Sequence, residues 1–272
     1  MIVLGFDTAT QATVVGLRLA DGSTLQARDD PPAAAHPGHA TRLLAIAAEL
    51  LADAGLGWTH VQRIAVGVGP GRFTGLRVGI ATARGLAQSA DTQLVGVSSL
   101  RALALGAAAR ARADGASPAS GTIAVIDARR GEAFAAAYPG ADADQEILFA
   151  HPLAAEELAR IVTSIECRDT GAVAAPADTA PAPTPGKDWL GVGDGAIRFA
   201  TELGEAGVVV PREDSPLHLL DAGALCELGA RADPAAQVEA VLPDYRREPD
   251  AALVRAKPLD AAKPIALGSA GG

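Results

Sequence analysis

Residues 2–7 read Ile-Val-Leu-Gly-Phe-Asp, and residues 122–127 read Thr-Ile-Ala-Val-Ile-Asp. Each is a short apolar run that stops on an acid, the pattern of a buried strand. The elements downstream of the two runs match as well. After Asp7 come a loosely alternating stretch, Thr13–Leu19, a hairpin signal at Asp21-Gly22 and a third strand, Thr24–Ala27. In Thr41–Ala54 the apolar residues Leu43, Ile46, Ala47, Leu50, Leu51 and Ala54 recur at helical spacing, and Gly55 comes next as a stop. Arg63–Val68 reads as a strand, Thr74–Gln88 as a helix and Leu94–Val97 as a strand. A helix capped by Ser98 or Ser99 then runs to about Ala113. After Asp127, Glu132–Tyr138 and Gln145–Phe149 read as strands and Leu153–Ile161 as a helix behind Pro152. Asp188–Val192, Ala196–Leu203, Val208–Val210 and Leu217–Ala230 then alternate strand, helix, strand and helix. Both halves spell βββαβαβα.

The glycine turns repeat as well. Gly67-Val-Gly69-Pro-Gly71 begins 60 positions after Asp7, and Gly191-Val-Gly193-Asp-Gly195 begins 64 after Asp127. One such turn after a strand is common, but two in matching places point to an internal duplication. The expected fold is therefore α/β, with units at 1–113 and 121–247. Residues 169–187, rich in Pro, Ala and Thr, read as a disordered insert, and 258–272 as a flexible tail.

Size and composition agree. The 272 residues suggest about 1.8 domains at roughly 150 residues each. Half of the residues are hydrophobic and a fifth charged, an ordinary globular balance. The formal net charge of −9 argues against a stand-alone nucleic-acid binder, which needs a basic face. No apolar run approaches a membrane span, and residues 1–7 lack the basic start of a leader. Cys167 and Cys226 form neither a disulfide framework nor a zinc cluster, so a reduced, cytoplasmic setting is expected. Arg far outnumbers Lys and Ala is abundant throughout, so Ala-rich and Arg-rich stretches carry little functional weight by themselves.

The duplicated unit resembles the actin/sugar-kinase/Hsp70 superfamily (ASKHA, RNase H-like), in which two such domains face each other across a cleft. That resemblance implies acids on the first hairpins and glycine turns at helix N-termini, both directed at nucleotide phosphates. Gly69-Pro-Gly-Arg-Phe-Thr-Gly-Leu-Arg-Val-Gly-Ile-Ala-Thr-Ala-Arg-Gly-Leu-Ala87 narrows it further: it closely resembles the signature of the TsaB (YeaZ) family. Supporting matches are Leu4-Gly-Phe-Asp-Thr-Ala-Thr10, Gly96-Val-Ser-Ser-Leu100, Ile126-Asp-Ala-Arg-Arg-Gly-Glu132, Gly193-Asp-Gly195 and Pro243-Asp-Tyr-Arg246. They run through nearly the whole chain. Arg72, where the family more often has Ser, is a departure.

Membership would imply an accessory subunit without catalytic residues, metal or cofactor of its own. It would hold TsaD, the catalytic paralogue, in an active form. TsaD transfers a threonylcarbamoyl group to the N6 of the tRNA adenosine beside the anticodon, and a small ATPase, TsaE, docks on the pair. Transfer RNA would be met only indirectly, and the isolated chain could form a homodimer. The alternative is an ATP-dependent phosphotransferase with Asp7 and Asp127 orienting Mg²⁺ or water at a phosphate. Asp7, Thr8, Gly69, Gly71, Asp127 and Asp194 are the candidate phosphate-loop residues, read as vestigial. TsaD-like proteins carry a metal-binding His-x-x-x-His on a helix; here His36 and His39 are one position too close, and Pro37 and Gly38 break any helix between them.

The Thr74–Gln88 helix holds Gly75, Gly79 and Gly85, each worth roughly 1 kcal/mol against Ala. Something must offset that cost. Gly75, Gly79 and Ala83 form a smooth stripe that admits another backbone, either a partner helix or the chain's own sheet. The family resemblance implies a four-helix interface with TsaD or a second copy, involving Leu43, Ala45, Ala48, Ala52, Gly75, Gly79, Thr82 and Ala83. Arg77 and Arg84 share one helical face and are read as meeting solvent or a partner's acids.

Overall fold

The computed structural model describes residues 1–32, 35–115, 119–139, 147–148, 152–169 and 189–246. The tail proposed at 258–272 and nearly all of the proposed insert lie outside the described residues; of the insert, only Asp169 is described, as the last residue of a helix.

The first sheet contains β1 (Val3–Asp7), β2 (Thr13–Arg18), β3 (Thr24–Asp29), β4 (Arg63–Gly69) and β5 (Gln93–Ser98), in the order β3-β2-β1-β4-β5. β1, β2 and β3 are an antiparallel meander, and β4 and β5 add in parallel through helical crossovers. α1 (His39–Asp53) and α2 (Phe73–Ala90) supply those crossovers and cover one face. Leu43, Ile46, Leu50, Ile80 and Ala83 pack there onto Leu4, Phe6, Val15 and Val66.

The second sheet contains β6 (Gly121–Arg129), β7 (Glu132–Pro139), β8 (Ile147–Leu148) and β10 (Trp189–Val192), in the order β10-β6-β7-β8. This repeats the first sheet up to its fourth strand. Expected strand Val208–Val210 is reduced to one parallel bridge between Leu190 and Val209. Residues Leu153–Ala154, the expected start of a helix, instead form β9, paired with Glu132 and Ala133 at the other end of β7. α4 (Ala155–Asp169) comes next. The expected helix at 196–203 is two short ones, α5 (Asp194–Arg198) and α6 (Ala200–Glu205), broken at Phe199. Phe199 is buried among Ile123, Val125 and Leu203 and serves as the joint between them.

The last helix of each half crosses over. α3 (Ser99–Ala113) puts Leu100, Leu103, Ala104 and Ala107 against Ala124, Ile126 and Tyr138 of the second sheet. α7 (Ala222–Arg231) puts Leu225, Cys226 and Leu228 against Val3, Ala65 and Val95 of the first. The two helices touch each other between the sheets. The sequence reading started the last helix at Leu217; it starts at Ala222 because Asp221 caps it, its Oδ1 accepting from the Ala224 amide at 2.8 Å.

The chain then turns back. Residues 235–246 run across β5 and α2, with the Ala235 amide donating to Leu94 O at 2.9 Å and the Asp244 amide to Val68 O at 2.8 Å. Val241 joins the first core. Arg84 donates to Glu239 O and Val241 O, and Arg77 donates to the Tyr245 hydroxyl at 2.8 Å while its guanidinium lies 3.8 Å over Phe73. The two arginines therefore fasten this strap, a correction to their reading as groups facing solvent or a partner.

The smooth stripe on α2 faces inward. A Cβ on Gly75 would overlap the Thr8 carbonyl oxygen, and one on Gly79 would overlap the Thr8 hydroxyl. Ala83 and Leu43 are also core residues. These four are buried inside the chain, so the partner-facing placement given to them is corrected: β1 and the turn after it are the backbone that the stripe admits. Gly85 has open space around it. Opposite outcomes are expected at the two kinds of glycine. Gly79→Ala forces the α2–Thr8 contact apart and costs about 1–3 kcal/mol, lowering the melting temperature. Gly85→Ala meets nothing and gains up to about 1 kcal/mol of helix propensity. Thermal melts of the two variants check both signs.

Candidate functional site

Asp7 ends β1 but does not reach the cleft. It is 1% exposed. Its Oδ1 accepts from the Ala9 amide at 2.7 Å and its Oδ2 from the Ser99 hydroxyl at 2.5 Å. A Cβ on Gly67 would overlap the carboxylate, so the first glycine of the turn exists to make room for Asp7. Burial pushes the carboxyl above the ordinary carboxylate range, against its two hydrogen bonds.

Thr8 is fully buried, and its hydroxyl donates to Gly75 O at 2.8 Å. Gly69 takes φ +101°, a conformation suited to glycine. Gly71 lies so close to Ala9 that a Cβ would overlap the Ala9 carbonyl, and the Arg72 amide donates to that carbonyl at 2.7 Å. The turn after β1 and the Gly-Pro-Gly turn are thus closed onto each other. Where the superfamily pattern would hold a phosphate between them, Thr8 and Ala9 are packed instead.

The second half is more open. Asp127 accepts from the Arg129 amide at 2.8 Å and from Arg198 Nη1 at 2.9 Å. Its own amide donates to Asp194 Oδ1 at 3.0 Å. Burial pushes the Asp194 carboxyl upward, and the Asp127 charge adds to it. The Gly193 amide donates to Nδ1 of buried His218 at 3.2 Å. The six candidate phosphate-loop residues therefore fall into two groups: Asp7, Thr8, Gly69 and Gly71 lock the first half together, while Asp127 and Asp194 sit beside the cleft, held by an arginine and by each other.

That cleft has a volume of about 720 Å³ and lies between the start of α2, the Asp127–Arg130 turn and the strap. His36 and His39 line it at the entrance to α1, and Arg72 projects from the Gly-Pro-Gly turn. Among the described residues no three His, Cys, Asp or Glu side chains converge on a possible metal position. No helix there is long and apolar enough to cross a membrane.

A second surface lies on the first half. The outer sides of α1 and α2 expose Ala48 and Ala52, and Ala81 and Gly85, with Leu44 left 44% exposed. Ala45 and Thr82 are half-buried beside them. Of the eight expected interface residues, these four, Ala45, Ala48, Ala52 and Thr82, are the ones that reach the surface.

Residues 31–193 match the family model of TsaD, the tRNA N6-adenosine threonylcarbamoyltransferase. YeaZ from Pseudomonas aeruginosa has a solved structure that superposes with a TM-score of 0.61 at 30% identity, covering 90% of this chain and 99% of that one. The chain belongs to the TsaB (YeaZ) family. The Escherichia coli tRNA threonylcarbamoyladenosine biosynthesis protein TsaB is 38% identical over 138 residues, which cover 51% of this chain and 55% of that protein. The Haemophilus influenzae protein of the same name is 37% identical over 134 residues, 49% of this chain and 52% of its own length. The chain thus spans about half the length of the curated TsaB relatives it matches.

Residue 7 gives a direct test of the closed turn. Its folded-state pKa is raised above the unfolded value, so the folded form binds the proton more tightly. Stability falls as pH rises from the unfolded pKa through the folded one, and the full penalty is present above it. Asp7→Asn keeps both hydrogen bonds and sheds that penalty. Its melting temperature should equal or exceed the parent's at pH 7, and the advantage should vanish on acidification below the unfolded pKa. Asp7→Ala leaves the Ala9 amide and the Ser99 hydroxyl without partners and should cost about 1–3 kcal/mol. Melts of both variants across pH check the two signs.

Proposed function

We propose that this TsaB-family chain is a non-catalytic scaffold that pairs with a TsaD-type transferase. It holds that partner in the form that transfers threonylcarbamoyl to the N6 of the tRNA adenosine beside the anticodon. The observation that carries the reading is the contrast between the two surfaces. The turns that would grip a nucleotide are closed onto Thr8 and Ala9, whereas the outer sides of α1 and α2 are small and apolar and have no cover from their own chain. Small side chains let two helices approach closely over their full length, and an exposed leucine among them is suited to burial.

Ala45, Ala48, Ala52 and Thr82, joined by Leu44, Ala81 and Gly85, would meet two helices of the partner. A second copy of this chain would take the same face when the partner is absent. TsaE would dock on the assembled pair. Transfer RNA would be bound through the partner, in keeping with the net charge of −9. No cofactor enters this role, and its setting is the cytoplasm, where tRNA is modified.

The competing phosphotransferase reading needs an acid directed at a nucleotide. Asp7, at 1% exposure beneath Gly67, favours the scaffold over it.

Ala48→Arg and Ala81→Arg each place a charged side chain on the proposed face without touching the core. Either should weaken capture of TsaD at least tenfold, about 1.4 kcal/mol, with an unchanged melting temperature. Titration of TsaD against both variants, with thermal melts alongside, decides it. Parental affinity in both variants, or ATP turnover by the purified chain that is lost in Asp7→Asn, would overturn the scaffold reading.

A further inference from the structure

The cleft at the start of α2 contains two buried donors without acceptors. Nη1 of Arg72 is buried and has no hydrogen-bond partner. His39 is only 5% exposed; its Nδ1 lies 2.8 Å from the Thr13 hydroxyl, and its Nε2 is buried without a partner. With the threonine hydroxyl donating to Nδ1, the ring proton sits on Nε2. That nitrogen lies 3.3 Å from where a Cβ of Gly75 would stand, so it is held beside the first turn of α2.

This helix end is itself uncompensated. Arg72 occupies the N-cap position and supplies no capping oxygen, and the first turn, Phe73–Leu76, carries no acid. The positive end of an 18-residue helix dipole therefore faces the same space as the two orphan donors. Arg129 stands across the cleft, and its charge opposes that of Arg72. The carboxylates nearby are already engaged: Asp127 with Arg198 at 2.9 Å and Asp244 with Arg246 at 2.8 Å.

We propose that this cleft binds the phosphate group of a small phosphorylated metabolite, held by Arg72, by His39 Nε2 and by the first amides of α2. Three sets of donors converging from different directions suit a tetrahedral anion with three terminal oxygens better than a planar carboxylate with two. The volume, about 720 Å³, is in the range of small-molecule sites and exceeds what a lone anion fills. Phe73 and Tyr245, with ring centroids 4.9 Å apart, wall one side and give the remainder of the ligand an apolar surface.

The test titrates the full chain with inorganic phosphate by calorimetry and follows the melting temperature. A nucleoside monophosphate, a sugar phosphate and acetate are titrated in parallel. Saturable phosphate binding that raises the melting temperature is expected, with acetate inactive; whichever phosphate ester binds more tightly than free phosphate identifies the remainder of the ligand. Arg72→Ala should weaken phosphate at least tenfold. Arg72→Ser should also abolish the response, yet raise the melting temperature of the free protein, because serine caps α2 with its own oxygen. Arg212→Ala, at an exposed ion pair outside the cleft, should bind as the parent does.

Absence of saturable binding by all three phosphate compounds, or equal affinity in the parent and Arg72→Ala, would overturn the proposal. Capture of TsaD by Arg72→Ala at parental affinity would separate this site from the scaffold face.

Discussion

Residues 7 to 9 fill the space left by four glycines spaced by four. Gly67 accommodates the Asp7 carboxylate, Gly71 the Ala9 carbonyl, and Gly75 and Gly79 the carbonyl and hydroxyl of Thr8. Any side chain at these positions would push α2 off the first sheet. The helix accepts the propensity cost of its two buried glycines because the approach they permit carries hydrogen bonds, from Thr8 to Gly75 O and from the Arg72 amide to Ala9 O. The signature Gly-Pro-Gly-Arg-Phe-Thr-Gly is thus first a packing device. It sets where α2 starts, hence where Arg72 stands and which side of the helix is left outside.

The duplication was legible in the sequence because it rests on period and punctuation: apolar runs ending on acids, helical spacing, glycine turns. The partner of the stripe was not. A row of glycine and alanine says that a backbone comes close, and a partner's helix and the chain's own β1–β2 turn leave the same mark on it. Burial decides, and burial is a property of the folded chain. Asp7 was misleading for a related reason: an acid at the end of a strand looks the same whether it faces a ligand or is roofed by Gly67. Position 199 hid another feature, since a phenylalanine buried at a helix joint fits a helical period as well as a helix interior does. The role of residues 235–246 had only the Pro243-Asp-Tyr-Arg246 match as a signal, because the strap is held by backbone bonds and by Arg77 and Arg84, whose spacing gives no hint of what they bind.

Long-range ties hold the two halves in register. α3 lies on the second sheet and α7 on the first, so the first sheet cannot be separated from the C-terminal half without exposing Val3, Ala65 and Val95. Arg63 strengthens this exchange from inside the first sheet. Its Nη1 donates to the carbonyls of Gly229, Ala230 and Ala232 at 2.9–3.0 Å, satisfying the C-terminal end of α7 with a cation, as the helix dipole favours. Its Nε and Nη2 are held by Gln93 of β5. Ser99, the first residue of α3, reaches back to Asp7. The polar groups at the centre of the molecule are therefore used for joining elements rather than for meeting a ligand.

That division bears on how an actin-like cleft can lose one role and keep another. When the turn after β1 closes under the glycines, the first half loses its phosphate grip, but the closure leaves the first amides of α2 uncapped and draws Arg72 and His39 to the same end of the helix. The positive potential that the parent fold directs at a nucleotide is displaced rather than abolished. In the second half the acid that would oppose it, Asp127, is neutralised by Arg198. The outer sides of α1 and α2 are untouched by these changes because they lie across the helices from the sheet. Packing on one side of α2 can therefore be exacting while the other remains available, and the same helix can anchor the core, present a charged end to the cleft and expose small residues to solvent.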